Sequence, residues 1–532
     1  GFKDLGNGVY GFNADRDVFD KVVVIDPVPT RIWGTLYGGN GYDTMEKLEI
    51  DEYNDLYLGG MTMSYDNYMA TSGAYITTFT GTWDGYIAKF DENGHRIWGS
   101  YLDNTISYGS LNALDFDKDN LYILLKANDQ QVLKLRKDGT YIWTHHIASD
   151  KLIYDILVKN GFFYIGGAIA QNNISKPYIE KFDLNGIFQK NYIIQNTVSG
   201  KFSYISDFSD DSSLDIYAIG QTESTGISTQ NSLQNSLGGD RDLLLMHFDS
   251  DLNSKQISYF GDARADLPIA CKFENGIFKV FYKIWPIINN NYVGSVLKYN
   301  VNTNAIVSNN QFLLPYNQDL TGYFDPIGNL FIGGSSYPNQ PNIATPDAYQ
   351  TSTGFSNKSI MMLYDNNENK VWGTFYGGNG STGAAFIRRD SKNYIYMVGS
   401  ATSNISGMAT PGAFQSINNS TDGYIAKFFD CTSVVTLLSS NSPVCLNSTI
   451  NLSASVGTSY SWTGPNGFIS SAQNPIILNA TAAMDGIYSC VISGTGGCDG
   501  TFNVEVKVED KTAPIPDIAN LLTITGNCKT VI

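Results

Sequence analysis

Apolar and polar residues alternate in many short runs along the chain, such as MEKLEID from Met45 to Asp51 and LNALDFD from Leu111 to Asp117. A period of two is the period of a β-strand, whose successive side chains point to opposite faces of a sheet. Segments rich in Gly, Asn and Asp separate the runs and favour tight turns. The pattern therefore predicts an all-β chain of short strands.

The strand motifs repeat. The motif DGYIAKF starts at Asp84 and returns at Asp422, and degenerate copies lie at Val132, Tyr178, Asp242, Ser295 and Ser359. The 338 residues between Phe90 and Phe428 hold six repeat steps of about 56 residues each. Each unit contains four short strands. Such repeats are typical of β-propeller blades, so we predict a seven-bladed β-propeller over residues 31–430.

The order of the motifs predicts how the propeller closes. The segment IWGTLY (Ile32–Tyr37) precedes every inner strand, whereas the last unit ends at Gly423–Phe428 without an outer strand. We expect Ile32–Tyr37 to complete the seventh blade, because leaving it out would expose two sheet edges. Trp33, and Trp372 in the matching VWGTFY segment, are predicted to be packing residues of the outer strands.

Composition narrows the possible partners. The 532 residues include 34 Tyr and 28 Phe, only 16% are charged, and the net charge is −17. An acidic surface repels nucleic acids and anionic membranes, so neither is an expected partner. No apolar run reaches the 18 or more residues of a membrane helix, and no membrane insertion is expected.

Candidate chemistry is sparse. The four His occur in no HExxH motif, and no G-x-S-x-G segment is present. The segment DFDKDN (Asp115–Asn120) reads as a strand-connecting turn, and Cys271 reads as a buried, inert thiol. The sequence therefore predicts a chain that is not an enzyme, with no catalytic residue, metal ligand or cofactor.

Binding is predicted at one face of the propeller. The connections between the second and third strands are long in four units, and they share this face with the outer-to-inner turns such as YGGNGYD. Long loops gathered on one face are typical of a working surface. The candidate binding residues are Asn40, Tyr42, Tyr68, Tyr75, Trp83, Tyr337, Tyr349, Asn379 and Phe414. The alternative is that these loops only cover the ends of the blades.

The segments TPGAFQS (Thr410–Ser416), TPDAYQT (Thr345–Thr351) and TSGAYIT (Thr71–Thr77), together with WGTxYGG and DGYIAKF, resemble the SBBP-type β-propeller repeat of exported bacterial proteins. The resemblance spans about Arg31 to Asp430 and weakens in the second, third and fifth units. Residues 1–30 look like the end of an upstream β region or lead-in segment.

Residues 431–509 resemble the immunoglobulin/PKD-like modules of large Bacteroidetes surface proteins, through a core tryptophan (Trp462) and the DGIYSC segment around Tyr488. The usual strand-B cysteine is replaced by Ala454. A Cys445–Cys498 bridge is favoured, while Cys431 and Cys490 either pair or stay reduced. Residues 510–532 resemble the start of a further, truncated adhesin repeat, and a partner for Cys528 would lie beyond Ile532.

These resemblances imply a non-catalytic binding and structural region of a large secreted adhesin, exported across the outer membrane by a type IX system and related to gliding-motility adhesins. The propeller would dock a surface protein or glycan, and the tail modules would form a stalk. Two alternatives stay open: a propeller-type polysaccharide-active enzyme, a glycosidase or lyase with paired acids in one pocket, and a passive spacer.

Overall fold

The computed structural model describes residues 2–6, 9–12, 29–102, 109–126, 130–195, 197–209, 211–288, 291–315, 319–338, 340–418, 420–430, 438–454, 457, 459–493 and 499–509. The chain divides into two compact units. One spans Arg31–Phe429, and the other combines Gly1–Thr30 with Asp430–Ile532. Strands dominate the described residues, which contain no α-helix. The predicted all-β class is confirmed.

The described strands between residues 30 and 429 form seven antiparallel four-stranded sheets, numbered here in chain order. Sheet 1 consists of Asp43–Ile50, Leu56–Thr62, Asp84–Phe90 and Arg96–Tyr101. Sheet 2 consists of Ser110–Phe116, Asn120–Lys126, Gln131–Arg136 and Tyr141–His146. Sheet 3 consists of Lys151–Lys159, Phe162–Gln171, Ile174–Asp183 and Phe188–Ile193. Sheet 4 consists of Ser203–Phe208, Ile216–Thr222, Asp242–Phe248 and Ser254–Phe260. Sheet 5 consists of Ala265–Glu274, Ile277–Ile288, Asn291–Asn300 and Ala305–Leu314. Sheet 6 consists of Thr321–Phe324, Leu330–Ser336, Lys358–Tyr364 and Lys370–Tyr376.

Sheet 7 is assembled from both ends of this unit. Its first three strands are Thr382–Arg389, Tyr394–Ala401 and Asp422–Phe429, and its fourth is Thr30–Tyr37. The strand from the front of the unit therefore pairs with the last one, as the motif order predicts. The first strand of each sheet is called the inner strand below, and the fourth is called the outer strand.

The inner strands lie side by side in a cyclic series. Each one contacts the inner strand of the next sheet, and Thr382–Arg389 of sheet 7 contacts Asp43–Ile50 of sheet 1. The sheets are thus arranged in a propeller-like manner. In six inner strands the register against the second strand shifts, as between Met45 and Lys47 or between Ile153 and Asp155. Such bulges bend a strand and re-aim its side chains.

Tryptophans of the outer strands join neighbouring sheets. Trp33 of sheet 7 donates a hydrogen bond from Nε1 to the Glu92 carbonyl in a turn of sheet 1 (3.2 Å), and Trp98 of sheet 1 bonds the Lys137 carbonyl of sheet 2 in the same way (3.1 Å). Gly94, in the first of these turns, has a φ of 85°, and an added Cβ would meet the Trp33 ring at 3.1 Å. The tryptophans therefore pack between sheets, as predicted.

The tail contains a four-stranded sheet of Phe468–Ser470, Ser459–Gly464, Gly486–Ser493 and Asp499–Val506, and a three-stranded sheet of Leu438–Ser440, Ile450–Ala454 and Ile476–Ile477. Val444–Cys445 pairs with Val508–Glu509 in parallel, and two 3-10 turns span Pro465–Gly467 and Ala482–Met484. Trp462 and Tyr488 are buried in the core of this region.

At the start of the chain, Phe2–Gly6 and Val9–Phe12 form an antiparallel hairpin. Within the described part of the chain, no helix is long and apolar enough to cross a membrane. Residues 510–532, where a further adhesin repeat is predicted, lie outside the described residues.

Candidate functional site

Four connections between second and third strands are long: residues 63–83 of sheet 1, 223–241 of sheet 4, 337–357 of sheet 6 and 402–421 of sheet 7. They are called covering loops below, because each one lies along the outer strand of its own sheet. In sheet 7, the Thr410 amide donates to the Gly34 carbonyl (2.9 Å) and the Leu36 amide donates to the Gln415 carbonyl (3.0 Å). The loop thereby pairs with a strand edge that would otherwise be open.

The same bonds recur in all four loops. A threonine amide donates to the outer strand, from Thr71 to Gly99, Thr229 to Ile257, Thr345 to Gly373 and Thr410 to Gly34. A hydroxyl of the outer strand accepts a loop amide at Ser100, Ser258, Thr374 and Thr35. The recurrent part of the loop is thus a structural cover, which explains why its threonine recurs in all four loops.

The cover also explains the glycine that follows the tryptophan in WGT. A Cβ on Gly34 would lie 2.4 Å from the Met408 carbonyl oxygen, and one on Gly99 would lie 2.3 Å from that of Met69. At these two positions glycine leaves room for the loop backbone to lie this close to the strand, whereas in sheet 4 Ile257 accepts the equivalent bond. In sheets 1 and 7 this glycine and the backbone of the covering loop therefore pack directly against each other.

Three of the predicted binding residues belong to the cover. Phe414 packs edge-on against Tyr37 at 6.0 Å, and Tyr349 packs against Phe428 at 5.7 Å. Tyr75 stacks on Tyr141 at 4.7 Å. These rings are committed to contacts inside the fold, which leaves the other predicted residues to form an open surface.

The remaining predicted residues lie at the loop surface. Tyr42 and Trp83 meet edge-to-face at 5.7 Å, and Asn40 accepts the Tyr65 amide at 3.1 Å. Asn379 likewise accepts the Ser406 amide (2.7 Å), and the Arg96 guanidinium lies 5.3 Å from the Tyr68 ring centre. Tyr337 is 53% exposed. The asparagines therefore tie turns to loops, whereas Tyr42, Tyr68 and Tyr337 are open to solvent.

Two strongly exposed aromatic residues of the same loops were not among the predicted ones. Tyr65 is 70% exposed and Phe355 is fully exposed. Both lie outside the repeated cover motif, in the parts of the loops that differ between units. Their position outside the repeated motif could have identified them from the sequence, because residues that the cover does not need can serve another role.

A second candidate site lies where the inner strands converge, and sequence reasoning missed it. Two adjoining cavities lie there, one of about 450 Å³ and one of about 410 Å³. The residues that bound the first cavity come earlier along most inner strands than those that bound the second, which places it nearer the covering loops, and it is called the loop-side cavity. The second lies towards the ends of the inner strands. Glu49, Asp155, Asp207, Tyr323 and Arg388 line both.

An ion pair lies between the two cavities. Arg388 binds Glu49 in a two-point contact, with Nε 3.0 Å from Oε2 and Nη2 2.5 Å from Oε1. The guanidinium lies 4.8 Å from the centre of the Tyr323 ring. Burial opposes the charged form of Arg388, but the Glu49 carboxylate outweighs it and raises the arginine pKa. The pair links the neighbouring inner strands of sheets 7 and 1.

Two carboxyl groups enter the cavities from adjacent sheets. Asp155 Oδ2 accepts the Phe208 amide at 2.9 Å, and Asp207 Oδ2 accepts the Cys271 amide at 2.8 Å. Burial raises the pKa of Asp155 to about 6, against the attraction of Lys47. Burial and the negative charge of Asp155 raise the pKa of Asp207 well above its usual range. Two carboxyl groups that repel each other and whose charged forms are both opposed by burial therefore border the cavities.

Other charged groups near the cavities are also perturbed by burial. Burial lowers the pKa of Lys47, whose ammonium lies 5.2 Å from the centre of the Phe386 ring. Burial also raises the pKa of the Cys271 thiol, which has no disulfide partner. A buried thiol with a raised pKa is unreactive, in agreement with the sequence interpretation.

In the tail, Cys445 is disulfide-bonded, and Cys490 is a buried free thiol. The structure therefore shows the reduced form of Cys490, one of the two states that the sequence left open. Cys431 and Cys498 lie outside the described residues, and the Cys445–Cys498 pairing stays a prediction. Among the described residues, no group of three or more His, Cys, Asp or Glu side chains could hold a metal ion.

Comparisons with known proteins give little beyond a fold likeness. No family model matches the chain, and no curated protein matches it. Among solved structures, it is similar to a europium-containing methanol dehydrogenase, with 10% identity, a TM-score of 0.38, and 75% of this chain and 93% of the other covered. It is similar to a Synechocystis apocarotenoid oxygenase variant, with 11% identity, a TM-score of 0.41, and 72% and 96% covered. It is also similar to Kuenenia stuttgartiensis hydrazine synthase, with 12% identity, a TM-score of 0.34, and 55% of this chain and 76% of the other covered. Likenesses at this level say nothing about function.

Proposed function

We propose that this chain is a non-catalytic binding and structural region of a large secreted cell-surface adhesin. We also propose that its seven sheets are the blades of a closed seven-bladed propeller, latched by Thr30–Tyr37. The cyclic contacts of the inner strands and the pairing of Thr30–Tyr37 within sheet 7 support the propeller. The likeness of the repeat to SBBP-type units supports an exported protein of the Bacteroidetes adhesin type, carried by a type IX system.

The tail would be an immunoglobulin-like module that forms part of a stalk. Trp462 and Tyr488 share its core, and the Tyr488 hydroxyl donates to the Met484 carbonyl four residues upstream (3.0 Å). That bond has the form of a tyrosine corner, which is common in immunoglobulin-like sandwiches. The disulfide at Cys445 supports an extracytoplasmic location.

The propeller would dock a protein or a glycan through the surface of its covering loops. The observation that supports this is that the covering loops and the turn before sheet 1 carry exposed aromatic rings, at Tyr42, Tyr65, Tyr337 and Phe355. Aromatic rings supply large contact areas at a low entropy cost and anchor both protein and sugar ligands. None of these rings belongs to the recurrent cover motif.

The test compares two double variants for binding to outer-membrane extract and to arrayed surface glycans. We expect Tyr65→Ala/Phe355→Ala to weaken binding at least tenfold, because aromatic anchors carry much of an interface's affinity. The matched control is Tyr53→Ala/Ile327→Ala, which removes two residues that are 68% and 62% exposed on turns between first and second strands. Equal binding by both variants would contradict the proposed surface, and absence of binding by the parent chain would favour a passive spacer.

A second candidate function is a polysaccharide-active enzyme. The observation that favours it is the Asp155 and Asp207 pair, whose two carboxyl groups line one cavity with perturbed proton affinities. Pairs of carboxyl groups with separated pKa values perform the acid and base steps of glycoside hydrolysis. Turnover of a polysaccharide panel that disappears in Asp155→Asn would support this function, whereas no turnover by the parent chain would remove it.

A further inference from the structure

The loop-side cavity has the size and walls of a small-ligand site. Its volume of about 450 Å³ lies within the range of about 300–1,000 Å³ that is common for such sites. Aromatic residues from three different sheets line it: Tyr154, Tyr323 and Phe386. Tyr154 is half-buried and packs against the Tyr204 ring at 5.0 Å, which fixes the orientation of this wall.

Polar groups of both hydrogen-bonding types border the same cavity. Asp155 and Asp207 line it, and each has one carboxyl oxygen tied to the backbone of the next sheet. Lys47 and Ser206 add an ammonium and a hydroxyl group. A carboxylate accepts hydrogen bonds, an ammonium donates them, and a hydroxyl or a protonated carboxyl can do both. The groups are fixed by the fold rather than carried on long loops.

We propose that the loop-side cavity binds the end of an uncharged saccharide, one or two sugar units long. This inference rests on the glycan branch of the proposed function and names the part of the unit that holds the sugar. A sugar ring has an apolar face for Tyr154 or Phe386 and hydroxyl groups that both donate and accept hydrogen bonds.

Charge favours an uncharged sugar over an acidic one. Asp155, Asp207 and Asp319 border the cavity, while the Glu49 carboxylate is already paired with Arg388. A carboxylated or sulfated sugar would meet these acids, while Lys47, the lysine that lines the cavity, already attracts Asp155. An amino sugar would gain from the acids but would be repelled by Lys47, and it serves as a separate probe in the test.

The test is isothermal titration of the full chain with four probes: a neutral disaccharide of glucose, a neutral disaccharide of N-acetylglucosamine, glucuronate and glucosamine. We expect saturable binding of a neutral disaccharide that is at least tenfold weaker in Tyr154→Ala and in Ser206→Trp, which fills the cavity from a bulged position. Tyr53→Ala, on an exposed turn that belongs neither to the cavity nor to the covering loops, is the control that keeps cavity binding. Thermal unfolding of each variant shows whether it is folded. Tyr154→Ala enlarges the cavity and Ser206→Trp reduces it, so the two variants test the cavity in opposite ways.

Several outcomes would overturn the inference. One is unchanged disaccharide binding in both cavity variants when they are folded, and another is tighter binding of glucosamine or glucuronate than of either neutral sugar. A third is no saccharide binding by the parent chain. In that case, capture of a surface protein that is lost in Tyr65→Ala/Phe355→Ala would still uphold the proposed function, so the two failures are distinguishable.

Discussion

At the scale of single residues, the junction of sheets 7 and 1 brings together two buried carboxyl groups. The position of a Cβ on Gly38 would be 2.7 Å from both Asp422 Oδ1 and Asp43 Oδ2. Thr62 and Ser64 bond Asp43, and Gln415 donates to Asp422 Oδ2 at 2.6 Å. Among the described residues, Asp422 Oδ1 has no hydrogen-bond partner. Gly261 faces Asp266 and Asp242 in the same way, so the arrangement recurs.

This junction predicts that stability falls as pH rises. Burial, together with the negative charge of Asp43, raises the pKa of Asp422 to about 8, and Asp66 adds to the repulsion. A raised folded-state pKa means that Asp422 contributes full stability below its unfolded pKa of about 3.9 and loses that contribution as pH approaches and passes about 8. We expect Asp422→Asn to be more stable than the parent at pH 9 by at least about 1 kcal/mol, because one pKa unit corresponds to about 1.4 kcal/mol.

Urea unfolding of the parent chain and of Asp422→Asn at pH 5, 7 and 9 measures the difference in their free energies of unfolding. Asp251→Asn is the control, because it removes one carboxyl group outside this junction, from a side chain that is 75% exposed and pairs with Lys181 at 3.2 Å. Parallel stability curves for the parent and Asp422→Asn across this range would contradict the prediction.

At the scale of the elements, the covering loops distinguish two kinds of outer strand. Sheets 1, 4, 6 and 7 have covered outer strands, while Tyr141–His146 of sheet 2 and Ala305–Leu314 of sheet 5 follow short connections between the second and third strands. The cover depends on one hydroxyl, for example Thr374, which accepts the Gln350 amide at 3.0 Å. A buried amide that loses its acceptor costs about 1–3 kcal/mol.

We therefore expect Thr374→Val to destabilise the unit by about 1–3 kcal/mol and to speed amide exchange at Gln350 and Phe375. The Phe375 amide bonds the Gln350 carbonyl at 3.1 Å, so it reports on the same contact. Thr144→Val, in the outer strand of sheet 2, is the matched control and should cost less than about 0.5 kcal/mol. Hydrogen exchange followed by mass spectrometry measures both, and equal effects of the two substitutions would show that the cover does not depend on this hydroxyl.

Much of this element-level order could be predicted from the sequence, because local repeats encode it directly. The period of two, the turn residues and the position of Ile32–Tyr37 predicted the strands, the four-stranded units and the pairing of that segment with Gly423–Phe428. The two cavities could not be predicted, because they combine residues from repeat units that are far apart in the sequence. Asp155 looks ordinary in LIYDILV, and only the fold places it beside Asp207.

At the scale of the whole molecule, the Arg31–Phe429 unit depends on a contact between its two ends in sequence. Thr30–Tyr37 is hydrogen-bonded to Asp422–Phe429, and Tyr37 is buried in a core with Met45, Tyr86 and Tyr396. Thr35 and Leu36 of this strand also form hydrogen bonds with Gln415 of the covering loop of sheet 7. Removing this strand would expose the edge of Asp422–Phe429, release that loop and open the core between sheets 7 and 1.

Deleting residues 1–37 is therefore expected to abolish cooperative unfolding of the unit and to promote aggregation, since it opens sheet edges and buried apolar surface at once. Deleting residues 1–28 is the control, because it keeps the strand and should preserve the parent's unfolding transition. Differential scanning calorimetry and light scattering measure the two effects. If the longer deletion unfolded with the parent's enthalpy and midpoint, the strand would be dispensable and the latched ring would have to be abandoned. If an added peptide of residues 29–38 restored the transition to the longer deletion, the strand itself, rather than the shortened chain, would be identified as the stabilising element.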